Sequence, residues 1–170
     1  MLKVKVEDPN ALRFIFQDEL YLLSQDKDYH QAAPAPPPVI ETPPVNFNYL
    51  GLNKKKLLIL VHYPEHEFMP DTHLAALESV LGRKGHSRDD AAILNLSQHA
   101  FATHELLMSY FEPQTLLILG KGSIPAGMAQ PDFNIVKTHA SLQLLYTFSF
   151  DEMMTNNDNK KAFWEQMKSL

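Results

Sequence analysis

The sequence predicts an α/β protein, a three-layer α/β/α sandwich around a mostly parallel central sheet of about four strands. Two observations carry that expectation. Short unbroken apolar runs recur at Leu57–Val61 (LLILV), residues 91–96 (AAILNL) and residues 116–119 (LLIL). Runs this short, rich in branched side chains, suit strands buried on both faces. Stretches with helical spacing separate the runs. Strand–helix alternation with short links means parallel strands joined by right-handed crossovers.

Composition sets the outer limits. The 170 residues, 45% hydrophobic and 21% charged, are ordinary for a soluble globular protein and sufficient for one real core. The net charge of −5 opposes a mainly electrostatic grip on nucleic acid, which needs many Lys and Arg on one face. Lys54, Lys55 and Lys56 form the one basic run and read as a solvated strand edge. With no cysteine, disulfides, thiolate zinc sites, iron–sulfur clusters and cysteine nucleophiles are excluded. No apolar run approaches the roughly 20 residues of a membrane span. The opening MLKVKVEDPN lacks the apolar core of a secretory signal. A cytoplasmic protein without membrane contact is expected.

The chain reads as three regions. Residues 1–30 form an N-terminal strand and helix segment. Residues 2–6 alternate like an edge strand, and Asp8-Pro9 is a good helix start. Leu12, Ile15, Phe16, Leu20 and Leu23 then recur at helical spacing, in a helix ending near Ser24. That spacing serves both packing on the domain and docking of a tethered helix into a partner's groove, and both readings stand. Residues 31–53 read as a linker, because QAAPAPPPVIETPPVN prefers extended polyproline II. Residues 54–170 form the α/β domain.

Within that domain the Leu57–Val61 strand leads to a loop, residues 62–70. Asp71 or Thr72 can cap a helix bearing Leu74, Leu77 and Leu81, which stops at Gly82. Residues 91–96 make the second strand. Ser97 can cap a helix with Phe101, Met108 and Phe111 on one face, ended by Pro113. Residues 116–119 make the third strand, closed by Gly120. Residues 133–138 (FNIVKT) make a weaker fourth. Ser149 and Glu152 match a capping box. Asp158 or Asn159 can cap the last helix, with Phe163, Trp164, Met167 and Leu170 as its apolar positions.

Candidate chemistry is sparse. His62, His66, His73 and His139 invite a metal reading. Pro64 between His62 and His66 forbids the helix that would aim them together, so no metal is expected. Gly120-Lys121-Gly122-Ser123 comes directly after a strand, but the phosphate-loop pattern needs a Gly where Leu116 stands and a Ser or Thr after the Lys. It reads as a turn. His104-Glu105 and Asp151-Glu152 are helix-surface positions, which gives paired acid catalysis little support. No G-x-S-x-G exists for a serine nucleophile. No cofactor is expected.

The order of segments from about Lys56 onward is similar to that of the uracil-DNA glycosylase superfamily. Val61-His62-Tyr63-Pro64-Glu65-His66 sits where those enzymes carry the water-activating G-Q-D-P-Y-H motif. Ile93-Leu94-Asn95-Leu96 sits where they carry a strand ending in the Asn that reads uracil. Residues 116–120 resemble their LLILG-like third strand. Thr138-His139-Ala140-Ser141 sits at the H-P-S loop, and residues 159–164 resemble the closing helix. The resemblance covers about two-thirds of the chain. It implies a pocket of His62, Tyr63, Pro64, His66, Asn95, His139 and Ser141. Tyr63 stands at the position of the catalytic Asp and cannot supply its charge near neutral pH. His139 and Glu65 are the catalytic candidates if the chain is active, with Asn95 reading a flipped base.

The arrangement also resembles a non-catalytic relative in that superfamily, the psi subunit of bacterial DNA polymerase III, which bridges the clamp loader and the chi subunit. That resemblance implies a replication accessory protein whose Leu12, Ile15, Phe16, Leu20 and Leu23 bind a protein partner, with direct DNA binding weakly supported. The expected function is therefore a non-catalytic interaction protein. The alternatives are an atypical uracil-DNA glycosylase in base-excision repair and a small-molecule-binding α/β domain, because fold does not fix function.

Overall fold

The computed structural model describes residues 46–170. The expected strand at residues 2–6, the helix with its candidate partner-binding face, and the proline-rich stretch to residue 45 lie outside the described residues. The strands are β1 (Leu50–Gly51), β2 (Leu57–Val61), β3 (Ala91–Asn95), β4 (Thr115–Leu119), β5 (Val136–His139) and β6 (Leu142–Thr147). The α-helices are α1 (Asp71–Arg83), α2 (His104–Phe111), α3 (Phe150–Thr155) and α4 (Asn157–Met167).

The α/β class is as expected, but the sheet is six-stranded and mixed, in the order β1-β3-β2-β4-β6-β5. Its four central strands run parallel, and β1 and β5 close the edges antiparallel. The fourth central strand is β6, not residues 133–138, which reach only the edge strand β5. LQLLYT lies beside β4 in the interior, with Leu145, Tyr146 and Thr147 buried. The expected linker boundary also moves. Residues 46–53 belong to the domain, because Phe47 is buried and β1 pairs with β3. The Phe47 ring packs against Phe111 at 5.5 Å and Tyr110 at 5.0 Å.

Two buried faces explain the unbroken apolar runs. Alternate residues of a strand point to opposite faces. Leu57, Ile59, Val61, Leu117 and Leu119 share one core with Leu77 and Leu81 of α1, Met153 of α3, and Phe163 and Met167 of α4. Leu58, Leu60, Leu116 and Ile118 face the other way and are fully buried. The chain steps from β2 to β3 on one side, then from β3 across β2 to β4. Right-handed crossovers then put α1 and α2 on opposite faces. Consistently, the buried Leu107 and Phe111 of α2 lie outside the first core.

Helix starts obey local geometry rather than the nearest polar residue. α1 begins after Pro70, with Asp71 in its first turn and no side-chain cap. Thr103, not Ser97, caps α2 by accepting from the Leu106 amide. Phe101 precedes that helix and is exposed. Ser149 and Glu152 make the expected capping box of α3, and Asn156, rather than Asp158 or Asn159, caps α4. The three lysines at the amino end of β2 pair with Asp89, Asp90 and Glu112 at 3.1, 3.5 and 2.8 Å.

Gly51 sits at φ +94°, and a Cβ there would lie 2.1 Å from the Ala91 carbonyl oxygen. Gly82, in the last turn of α1, has open space around it. Gly51→Ala is expected to cost about 2 kcal/mol or more. Gly82→Ala is expected to stabilise by about 0.5–1 kcal/mol. Urea denaturation monitored by circular dichroism distinguishes the two, and equal effects would contradict the register of β1.

Candidate functional site

In open α/β sheets, ligands bind beyond the carboxyl ends of the strands where successive connections diverge. Here that point lies between β2, whose connection leaves toward β3, and β4, whose connection leaves toward β6. A crevice of about 300 Å³ opens there. His62 from the loop after β2, Ser97 and His99 from the segment after β3, and Gly122, Ile124 and Pro125 from the segment after β4 line it. Gly122 stands against His62, and a Cβ on it would lie 2.8 Å from the imidazole Cδ2. Gly120, at φ +86°, turns the chain out of β4. Residues 121–123 then form the turn expected for the Gly-Lys-Gly-Ser stretch, and the Ser123 hydroxyl donates to the Leu119 carbonyl at 2.7 Å.

The crevice has little chemistry to offer. None of its lining residues is an acid. Its titratable groups are His62 and His99. His99 is buried, and its Nε2 bonds the Asn48 carbonyl at 3.1 Å. A carbonyl only accepts, so the proton is on Nε2.

Beside the crevice, the loop after β2 is fastened by Asn95. This residue ends β3 and is 1% exposed. Its Oδ1 accepts from the Tyr63 amide at 2.9 Å, and its Nδ2 donates to the Tyr63 carbonyl at 2.8 Å and the His66 carbonyl at 2.7 Å. Oδ1 also accepts from the Ser97 amide at 3.3 Å, capping the short turn Leu96–Gln98. The Ser97 hydroxyl is 2.8 Å from the Tyr63 carbonyl oxygen and 2.9 Å from Asn95 Oδ1, and its one proton serves one of them at a time. Every hydrogen-bonding position of the Asn95 amide is thus taken by the protein itself.

Tyr63 points inward. Its hydroxyl lies 3.0 Å from His73 Nδ1 on α1, and burial, assisted by the charge of Asp151, pushes its phenol well above the usual range. It is a neutral group holding a loop to a helix. His62, Pro64, Glu65 and His66 are exposed around it.

The expected pocket does not assemble. His139 pairs with Leu142 in the β5–β6 hairpin, and Gln143 lies opposite Thr115, the first residue of β4. His139 and Ser141 are therefore at the amino end of the parallel strands, while Tyr63 and Asn95 are at the carboxyl end. The cause is the direction of β5. The sequence around Thr138-His139 reads as a strand running into a loop, but that strand runs antiparallel to β6. Phe148 and Ser149, not the His139 loop, emerge from the carboxyl end of β6. His99 and Pro125 are crevice residues that the sequence alone does not single out, and Gly122 enters it only as part of the Gly-Lys-Gly-Ser turn. The glycines flanking Lys121 are the available signal, since they mark close approach of backbone.

Among the described residues, no group of three or more His, Asp or Glu side chains is placed to hold a metal ion. No helix among them is long and apolar enough to cross a membrane. No protein-family model matches the chain, and no curated protein matches it either.

Asn95→Ala is expected to lower unfolding stability by about 2–4 kcal/mol, because it leaves buried loop groups without partners. His139→Ala, on an exposed hairpin, should change stability by less than about 0.5 kcal/mol. Denaturant melts of the two variants check this, and a small loss for Asn95→Ala would refute the clamp.

Proposed function

We propose that the chain is a non-catalytic interaction protein on a uracil-DNA glycosylase-like scaffold, an accessory of DNA replication of the psi-like kind. The observation that carries the reading is the state of Asn95. The residue that would read a base has both ends of its amide bound to the loop after β2. A flipped base would have to displace several buried hydrogen bonds to reach it, each worth about 1 kcal/mol net.

Two further facts support it. The buried, neutral Tyr63 takes the place of the acid, and His139 is at the far end of the sheet, so neither an oxocarbenium-like state nor a uracil anion would be stabilised there. The Lys54–Lys56 run is engaged by Asp89, Asp90 and Glu112, which leaves that cluster poorly suited to gripping phosphates.

A single-turnover assay on uracil-containing single-stranded DNA, with protein in excess, is expected to release no uracil. Release that disappears in His139→Ala would overturn the reading. Deleting residues 1–30 is expected to leave the domain's melting transition in place and abolish capture of clamp-loader subunits. Loss of the transition would mean that the segment is part of the core and not a tether.

A further inference from the structure

The two cations Arg83, on α1, and Lys160, on α4, line an apolar groove between α1 and the α3–α4 pair, with a volume of about 250 Å³. Phe150, Met153 and Phe163 are buried at its floor, and Met154 is 46% exposed beside them. The Arg83 guanidinium carbon lies 5.5 Å from the centre of the Trp164 ring. In a chain of net charge −5, the charged residues lining this groove are both positive. Among the described residues neither is in an ion pair, in contrast to the lysines at β2.

A recess of this size falls below the roughly 300–1,000 Å³ of small-molecule sites. It suits an anchoring side chain rather than a whole ligand. Methionines re-pack around differently shaped anchors. Arg binds carboxylates in a forked geometry.

We propose that this groove docks a protein segment that sets a large apolar anchor beside Asp or Glu. The anchor enters over Met153 and Phe163 against Trp164, and the carboxylate meets Arg83 or Lys160. This rests on the interaction-protein reading above and names the chemistry of the partner. Trp164 is the chain's one tryptophan, so its fluorescence reports occupancy directly.

Selection of a random dodecapeptide library on the full chain tests it, run in parallel on Met154→Asp and on the Arg83→Glu/Lys160→Glu double variant. These substitutions alter exposed side chains, and retained thermal transitions confirm folding. Wild type is expected to enrich peptides that place Phe, Leu or Trp beside Asp or Glu. A selected peptide should shift Trp164 emission and bind each variant at least about tenfold more weakly, and its Asp/Glu→Lys version should lose a similar factor. Enriched peptides without acids, no groove-dependent enrichment, or binding indifferent to both variants overturns the proposal. Self-association of the free chain that Met154→Asp abolishes also overturns it, by making a second copy the occupant. Failure here with no uracil release removes the groove assignment alone. Uracil release removes the non-catalytic reading beneath it.

Discussion

Asn95 is the constraint on which this end of the molecule depends. A parallel strand buried on both faces must deliver its chain to the surface through a loop, and the first residues of that loop are still under the neighbouring segments. Their amides and carbonyls need partners, and no strand is left to provide them. Asn supplies an acceptor and two donors on one short side chain. At the end of β3 it is one strand away from the loop after β2, close enough to replace the missing ladder for Tyr63 and His66. The same oxygen caps the turn that begins at Leu96. One side chain thereby fixes the exits of two adjacent strands, and with them the positions of His62, Ser97 and His99 around the crevice.

That role explains which parts of the molecule are legible from residues alone. β2, β3 and β4 are central strands, and burial on both faces leaves a short apolar run whose length and branched side chains favour a strand over a buried helix. The α3 capping box is legible because both partners lie within four residues. β6 is not, because LQLLYT also resembles one side of a helix, while FNIVKT next to it has the β-branched content of a strand. Edge position decides between them: β5 tolerates Lys137 and His139 in solvent, and the interior place goes to the more apolar segment. The caps at Thr103 and Asn156 depend on where the backbone enters the helix, which competing Ser, Asp and Asn residues nearby do not reveal.

The site divides along the same line. Grouping Tyr63, His66 and Asn95 needs only the rule that parallel strands present their carboxyl ends together, and the three do meet. Adding His139 and Ser141 needs the direction of the strand before them. A two-stranded hairpin at the sheet edge reverses that direction without leaving a mark in composition, so residues at matching places in the chain stand at opposite ends of the sheet.

An amide that reads a ligand must keep free donors and acceptors until the ligand arrives, and the cost of those free groups is offset only by binding. An amide that holds a loop has no such requirement and contributes stability at all times. The Asn95 amide matches the second description: both of its ends are bonded to the loop after β2, and Tyr63 turns inward beside it. The switch-point crevice is left with two imidazoles, one of them bonded to backbone, the Ser97 hydroxyl, itself bonded within the loop clamp, and walls of Ala, Leu, Ile and Pro. On the helical face the balance is reversed. Arg83 and Lys160 keep their charges outside any ion pair among the described residues, above a floor of Phe and Met. Unmet polar capacity beside apolar surface is what recognition requires, and the strand-end crevice has little of it.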